Sequence, residues 1–373
     1  MKTVLFLIPS LGGGGAERVL VNLANNLDKT KYKVTVQTLF DVGVNRNYLD
    51  EDIEYIAGFK RQFPGNTKVF KLFSPETLYR KIVKKRYDIA VSYLEGPSAR
   101  IIAGCPNKDT KTVSWIHVEQ LSERALSHSF RSLGEARECY GSFDATVCVA
   151  ETVKQDFLKL CRVDHPCTVL YNTNEDEKIL ASANEAVEDI SFSNNTNIIS
   201  IGRLRYEKGY DRLIKVHKRL LDEGVRHSIY VLGTGTQEEK LTRLIEESGV
   251  KDTFHLLGFK KNPYKYVKQA DLFVCSSRRE GFSTAVTESL IIGTPVVSTC
   301  CSGAYELLGN NDEYGIVTEN SEEGIYLGMR KMLLDGILED YKVKAAERGK
   351  FFSKENTVKA VEDLFDSLLN EEE

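Results

Sequence analysis

The sequence predicts an α/β protein built from two doubly wound domains. Three observations predict it. The 373 residues exceed one ordinary domain and suit two. Short β-rich runs alternate with helical patterns twice along the chain. Between the two alternations lies one polar stretch, Asn172 to Asn197, rich in Asn, Glu, Ser and Ala. The expected division is a first domain over 1–172, a linker with a short helix over 173–196, a second domain over 197–352, and a C-terminal helix over 353–373 returning toward the first domain.

In the first half, Val4–Ile8 reads as a buried strand, Gly12–Gly15 as a turn and Ala16–Leu27 as an apolar-faced helix. Strands are expected at 33–39, 89–92, 112–116, 145–149 and 168–170. The short apolar run before Pro9 fits a first strand better than a signal peptide. In the second half, strands are expected at 197–202, 228–232, 253–257, 272–275, 295–298 and 315–317. Helices are expected near 208–223, 236–248, 262–269, 284–292 and 321–335, then at 339–350 and 354–369. Glu371-Glu372-Glu373 reads as a frayed tail.

Hydrophobic residues make up 42% and charged residues 28%, a globular balance. No stretch approaches the roughly 20 apolar residues that span a bilayer. Eight scattered cysteines, with neither a CxxC pair nor a zinc-like spacing, read as buried thiols of a reducing compartment. Residues 1–170 hold 24 Lys+Arg and 19 Asp+Glu, a net of +5, against −9 for the remainder. Much of the positive excess lies in Lys60–Arg86, either a solvated face or a contact with anionic lipid headgroups.

Four sequence signals carry chemistry. Glu280-Gly281-Phe282-Ser283-Thr284 follows a buried strand and opens an apolar helix. The peptide N–H groups of Phe282, Ser283 and Thr284 would then face an anion at the helix's positive end. Glu280 and Glu288 could accept hydrogen bonds from hydroxyls on either side of that anion. Gly202-Arg203-Leu204-Arg205-Tyr206-Glu207-Lys208-Gly209 leads from strand to helix and brings two cations, Arg203 and Lys208, toward a diphosphate. The Gly12–Gly15 run lets backbone approach a ligand closely, but it matches neither a dinucleotide fingerprint nor a P-loop. His117 closes a strand at its carboxyl end, where sites collect in this fold class. Asp50-Glu51-Asp52 has the letters of a metal-binding triplet but reads as an exposed acidic turn.

Together these features resemble glycosyltransferase family 4, a group of retaining enzymes with the GT-B fold, in which two such domains face each other across a cleft. The resemblance rests on Gly14–Arg18, His117, Gly202-Arg203 with Lys208-Gly209, Gly233-x-Gly235, the Glu280/Glu288 pair, and Gly293–Val297 with Ser302–Glu306. It implies that Arg203 and Lys208 bind the donor diphosphate and Glu288 the ribose, and that Glu280 and the backbone of Phe282–Thr284 meet the transferred sugar. His117 would lie near the sugar's reacting face. Gly14 and Gly15 would approach phosphates or acceptor, Gly202 and Gly233 would belong to the donor side, and Asn172 would resemble an interdomain asparagine. The implied enzyme moves a hexose or N-acetylhexosamine from a nucleotide sugar, most plainly a UDP-sugar, to a glycan or lipid-linked acceptor in capsule, exopolysaccharide or glycoconjugate assembly. It would need neither metal nor cofactor, bind no nucleic acid, and work in the cytoplasm or peripherally at the inner face of the membrane. A nucleotide-sugar epimerase and a catalytically inactive sugar-binding subunit are the other readings; a dehydrogenase is disfavoured by the missing glycine fingerprint.

Overall fold

In the computed structural model, which describes residues 1–62 and 65–370, the chain divides into two compact units. The first contains Met1–Asn174 together with Lys354–Glu373, and the second contains Glu175–Ser353. Glu371–Glu373, read above as a tail, lie outside the described residues.

The first unit is a seven-stranded parallel sheet in the order β3-β2-β1-β4-β5-β6-β7. Its strands are β1 (Lys2–Ile8), β2 (Tyr32–Phe40), β3 (Glu54–Phe59), β4 (Ile89–Ser92), β5 (Lys111–Ile116), β6 (Ala145–Cys148) and β7 (Cys167–Val169). β1 is central, with Val4 paired to Val34 on one side and Ile89 on the other. Val4–Ile8 are fully buried, as a strand covered on both faces requires. β3 is the strand that periodicity does not reveal. It forms an edge with half its residues exposed, so its Glu54-Tyr55-Ile56-Ala57-Gly58-Phe59 run carries no clean apolar signal.

The helix Lys354–Asn370 packs in this first unit, although the 179 residues of Glu175–Ser353 separate it from the rest. Phe365 meets the rings of Phe6 at 6.3 Å and Tyr32 at 5.9 Å. Glu362 accepts the Asp28 amide at 2.7 Å, and Tyr32 Oη donates to Asp366.

The second unit is a six-stranded parallel sheet in the order β10-β9-β8-β11-β12-β13. Its strands are β8 (Thr196–Ile201), β9 (His227–Leu232), β10 (Phe254–Leu256), β11 (Leu272–Cys275), β12 (Val296–Thr299) and β13 (Ile316–Thr318). The polar stretch before β8 is anchored here rather than hanging free. It contains the helix Asp176–Ala183, and Asp189 binds both Lys260 and the Tyr266 hydroxyl at 2.6 Å. In both sheets the strand order reverses beside the first strand, at β1/β4 and at β8/β11. Those two switch points are where open α/β sheets leave a crevice beyond their strand ends.

All eight cysteines are free, five of them buried. Asp50 and Asp52 sit in an exposed turn, both held by Lys29 Nζ at 3.1 and 2.7 Å. Among the described residues, no helix is long and apolar enough to cross a membrane.

The second core contains a buried histidine pair. His227 Nδ1 binds the Val225 carbonyl at 2.9 Å, so it carries the proton and leaves His227 Nε2 as an acceptor. His217 Nδ1 then donates to that nitrogen at 2.8 Å, and His217 Nε2 pairs with the Thr253 hydroxyl at 2.9 Å. Burial disfavours the charged form of both rings and pushes the His217 pKa down to about 3. His117, in the first unit, is likewise pushed by burial to about 3. Unfolded histidines protonate near 6.5 whereas these resist until about 3, so the unfolded state binds the extra protons in that window. Stability should fall as pH drops below about 6.5, with a slope on the order of 1.4 kcal/mol per pH unit for each such histidine. Thermal unfolding between pH 7.5 and 5 measures this; an unchanged Tm across that range would contradict it.

Candidate active site

At the β8/β11 switch point, two loops meet. The loop after β8 runs from Gly202 through a 3-10 turn, Tyr206–Lys208, into the helix Tyr210–Asp222. The loop after β11 carries Ser276 to Ser283 and opens the helix Thr284–Ile292. Lys208 Nζ binds Glu280 Oε1 at 2.5 Å, and Ser277 Oγ donates to the same oxygen at 2.6 Å. Burial alone would lower the Lys208 pKa, but the neighbouring groups, Glu280 first among them through its charge and its hydrogen bond, together outweigh burial and hold the ammonium above its ordinary value. Lys208 stays charged. Two of its three N–H donors remain beyond the one given to Glu280.

Backbone contacts lock the two loops together. Gly209 has φ of +68°, and a Cβ there would lie 2.1 Å from the Ser276 carbonyl oxygen. Only glycine accepts both the left-handed backbone and the close approach. Ser276 Oγ donates to the Lys208 carbonyl at 2.9 Å. Arg278 spans the same gap, binding Asp211 at 2.7 and 2.8 Å and the Tyr206 carbonyl at 2.9 Å. Its charge is committed to this strut.

Arg203 leaves the same β8 loop as an exposed side chain and, among the described residues, has no side-chain hydrogen-bond or ion-pair partner. Gly202 and Gly233 press together at the ends of β8 and β9, where a Cβ on Gly233 would lie 2.0 Å from the Gly202 carbonyl oxygen. The Phe282 side chain is buried against Phe352, with ring centroids 5.9 Å apart. The Ser283 hydroxyl caps the following helix through the Val286 amide at 3.4 Å. What Phe282–Thr284 can offer a ligand is thus chiefly backbone, including first-turn amides that have no carbonyl within the helix. Glu288 is half-buried further along this helix, where its Oε1 accepts the Tyr264 hydroxyl at 3.0 Å.

In the first unit, the glycine loop follows β1, and Glu95 follows β4 at that sheet's own switch point. The Glu17 carboxylate folds over the loop so closely that a Cβ on Gly14 would lie 2.1 Å from it. Gly15 starts the helix Gly15–Asn26, whose positive end this carboxylate faces. His117 follows β5, is buried, and packs against the Tyr93 ring at 4.8 Å. Its ring hydrogen-bonds the Tyr93 backbone, and Nε2 has no partner among the described residues. The proton is therefore on Nδ1, and Nε2 presents a lone pair. Glu95 Oε2 accepts the His117 amide at 3.2 Å, and burial pushes its carboxyl above the ordinary range. Asn172 is buried beyond β7, where its carbonyl accepts the Asn174 side chain at 2.9 Å.

Ser277, Tyr264 and Glu95 were missed by the sequence reading. The signal for Glu95 was its place just beyond a strand at the switch point; Ser277 and Tyr264 carried none.

These two doubly wound sheets define a GT-B architecture. A glycosyltransferase from Rickettsia africae superposes with a TM-score of 0.80 at 18% identity, covering 99% of both chains. HepE from Anabaena, crystallised with UDP, superposes at 0.77 and 18% identity over 98% of this chain and all of that one. The "Glycosyltransferase Family 4" profile matches residues 13–176 and the "Glycosyl transferases group 1" profile residues 184–350. A Campylobacter jejuni relative is 37% identical across 99% of this chain and its own full length. It is an N-acetylgalactosamine-N,N'-diacetylbacillosaminyl-diphospho-undecaprenol 4-alpha-N-acetylgalactosaminyltransferase. The chain belongs to the family 4 glycosyltransferases.

The tight Gly209 contact yields a prediction. Gly209→Ala should destabilise the protein by about 1–3 kcal/mol, because strain and the Ser276 clash act together. Differential scanning calorimetry reads this as a lowered Tm, and parental stability in the variant would contradict it.

Proposed function

We propose that this chain is a retaining, metal-independent glycosyltransferase that moves an N-acetylhexosamine or hexose from a UDP-sugar to a diphospholipid-linked saccharide during glycan assembly. The observation that carries it is the charged Lys208, fixed against Glu280 beside a helix N-terminus at the switch point of the second sheet. The Campylobacter relative acts on a diphospho-undecaprenol-linked saccharide, and HepE binds UDP; both support the reading.

In this mechanism the donor diphosphate lies along the Gly202–Gly209 loop. Lys208 and Arg203 face its oxygens, and the amides at the start of the Thr284–Ile292 helix add donors. Glu280 Oε1 is committed to Lys208 and Ser277, which leaves Oε2 to accept a hydroxyl of the transferred sugar. Glu288 accepts a ribose hydroxyl. The bond from anomeric carbon to phosphate oxygen breaks while the acceptor oxygen bonds to the same carbon on the same face. The acceptor's proton passes to the departing phosphate oxygen, so no protein carboxylate need act as nucleophile. Charge grows on the leaving diphosphate, where two fixed cations stabilise it most. The neutral His117 meets an uncharged hydroxyl, because burial excludes a protonated imidazole there.

The enzyme works on the cytoplasmic side, touching anionic lipid through Lys60–Arg86. Arg80, Lys85 and Arg86 in that segment are paired with Glu76, Glu54 and Asp109. Lys60, Arg61, Lys68, Lys71, Lys81 and Lys84 have no carboxylate partner among the described residues.

Arg203→Ala and Lys208→Ala should each lower kcat/KM at least about tenfold, or 1.4 kcal/mol. Steady-state transfer from UDP-N-acetylhexosamines to a diphospholipid-linked saccharide measures it, and near-parental rates in both variants would refute the role. Chelator should leave transfer intact, and the product's anomeric proton should show the donor's configuration by NMR. Loss with chelator that manganese restores, or an inverted product, would overturn the corresponding part.

A further inference from the structure

The loop after β11 carries Glu280, and side chains that the transfer chemistry does not use hold that loop from behind. Its carbonyls at Ser276, Ser277 and Arg278 are consecutive, and each accepts a hydrogen bond from a side chain outside the loop. Arg212, on the helix Tyr210–Asp222, donates from Nη2 to Ser276 O at 2.6 Å. Thr299 Oγ1, at the end of β12, donates to Ser277 O at 2.6 Å, and Cys301 Sγ joins it at 2.9 Å. Asn320, just beyond β13, donates from Nδ2 to Arg278 O at 3.0 Å. Arg212 and Asn320 are also tied to each other, since Arg212 Nη1 binds Asn320 Oδ1 at 2.9 Å and Asn320 O at 3.2 Å.

With these carbonyls held on one side, the loop turns other groups toward Lys208. The Arg278 amide donates to Glu207 O at 2.6 Å, and Ser277 Oγ and Lys208 Nζ share Glu280 Oε1. Arg212 is an expensive way to hold a loop. It is buried, its Nε has no partner among the described residues, and no carboxylate there forms an ion pair with it. Burial and the nearby Arg278 charge both lower its pKa. An apolar side chain of similar volume would serve folding at less cost. What the guanidinium adds is direction: its fork fixes a polar loop through the loop's own carbonyls.

We propose that Arg212 and Asn320 are positioning residues of the transfer reaction, fixing the carbonyls of the loop after β11 so that Glu280 meets Lys208 and the sugar in one orientation. The inference rests on the glycosyltransferase reading above and adds to it two residues that act through Glu280. A loop held in this way aligns the carboxylate before the sugar arrives. Loosening it should therefore cost turnover more than ground-state binding.

Transfer kinetics, UDP calorimetry and hydrogen exchange on Asn320→Ala and Arg212→Met, beside the parent, test it. Each variant should lower kcat at least about tenfold, while KM for the UDP-sugar and UDP affinity stay within about threefold. Amides of 276–283 should exchange faster, with exchange in the rest of the second unit as in the parent. Arg212→Met alters a buried charge, so Asn320→Ala, at a half-buried position, carries the test if the first variant fails to fold. Parental kcat in Asn320→Ala, or parental exchange over 276–283, overturns the proposal. If exchange rises across the whole second unit while kcat and UDP affinity fall together, the two residues only support the fold and the proposal is overturned. Transfer that is lost in Lys208→Ala but kept in Asn320→Ala overturns the positioning role alone; if the parent transfers no sugar, the transferase reading fails and the positioning role falls with it.

Discussion

The ion pair between Lys208 and Glu280 is the contact on which the rest of the second unit's site depends. It joins the loop after β8 to the loop after β11, the two that flank the sheet's switch point. Burial disfavours the lysine's charge, and Glu280 contributes most to keeping it. The surroundings make that geometry rigid. Ser277 holds the shared carboxylate oxygen, Gly209 brings backbone against Ser276, and Arg278 ties both loops to Asp211. A cation fixed in this way faces an incoming anion without having to reorganise, which is the condition under which electrostatic stabilisation is largest.

The first unit repeats the topology with different chemistry. At its switch point stands Glu95, whose carboxyl burial pushes toward the protonated form; beyond β5 stands His117, held neutral. The glycine loop is covered by the unit's own Glu17 carboxylate. The two switch points thus differ in charge: one holds a charged lysine, and the other a buried carboxyl with a neutral imidazole beyond the next strand.

Much of this was legible in the residues. Parallel strands buried on both faces announce themselves as runs such as Val4-Leu5-Phe6-Leu7-Ile8, and glycine-marked turns follow them. The order of motifs located Lys208, Glu280 and the 282–284 backbone beside one another, because each follows a strand whose carboxyl end lies at the crevice. β3 was not legible, being an edge strand whose exposed face hides its period. The Arg278 strut was not legible, because nothing local shows that Asp211, 67 residues earlier, neutralises it. Ser277 and Tyr264 gain meaning only from the carboxylates they touch, and such contacts are made by tertiary packing. The anchoring of the 176–189 segment was hidden for the same reason: its partners Lys260 and Tyr266 lie more than seventy residues away.

The central claim is that Lys208 recognises the diphosphate of the donor. Calorimetric titration of UDP, UMP and uridine into the parent and into Lys208→Ala tests it most directly. The account predicts that the parent prefers UDP over UMP by at least about tenfold, or 1.4 kcal/mol, and that this preference collapses in the variant while uridine binding is unchanged. An undiminished preference for UDP in the variant would contradict it.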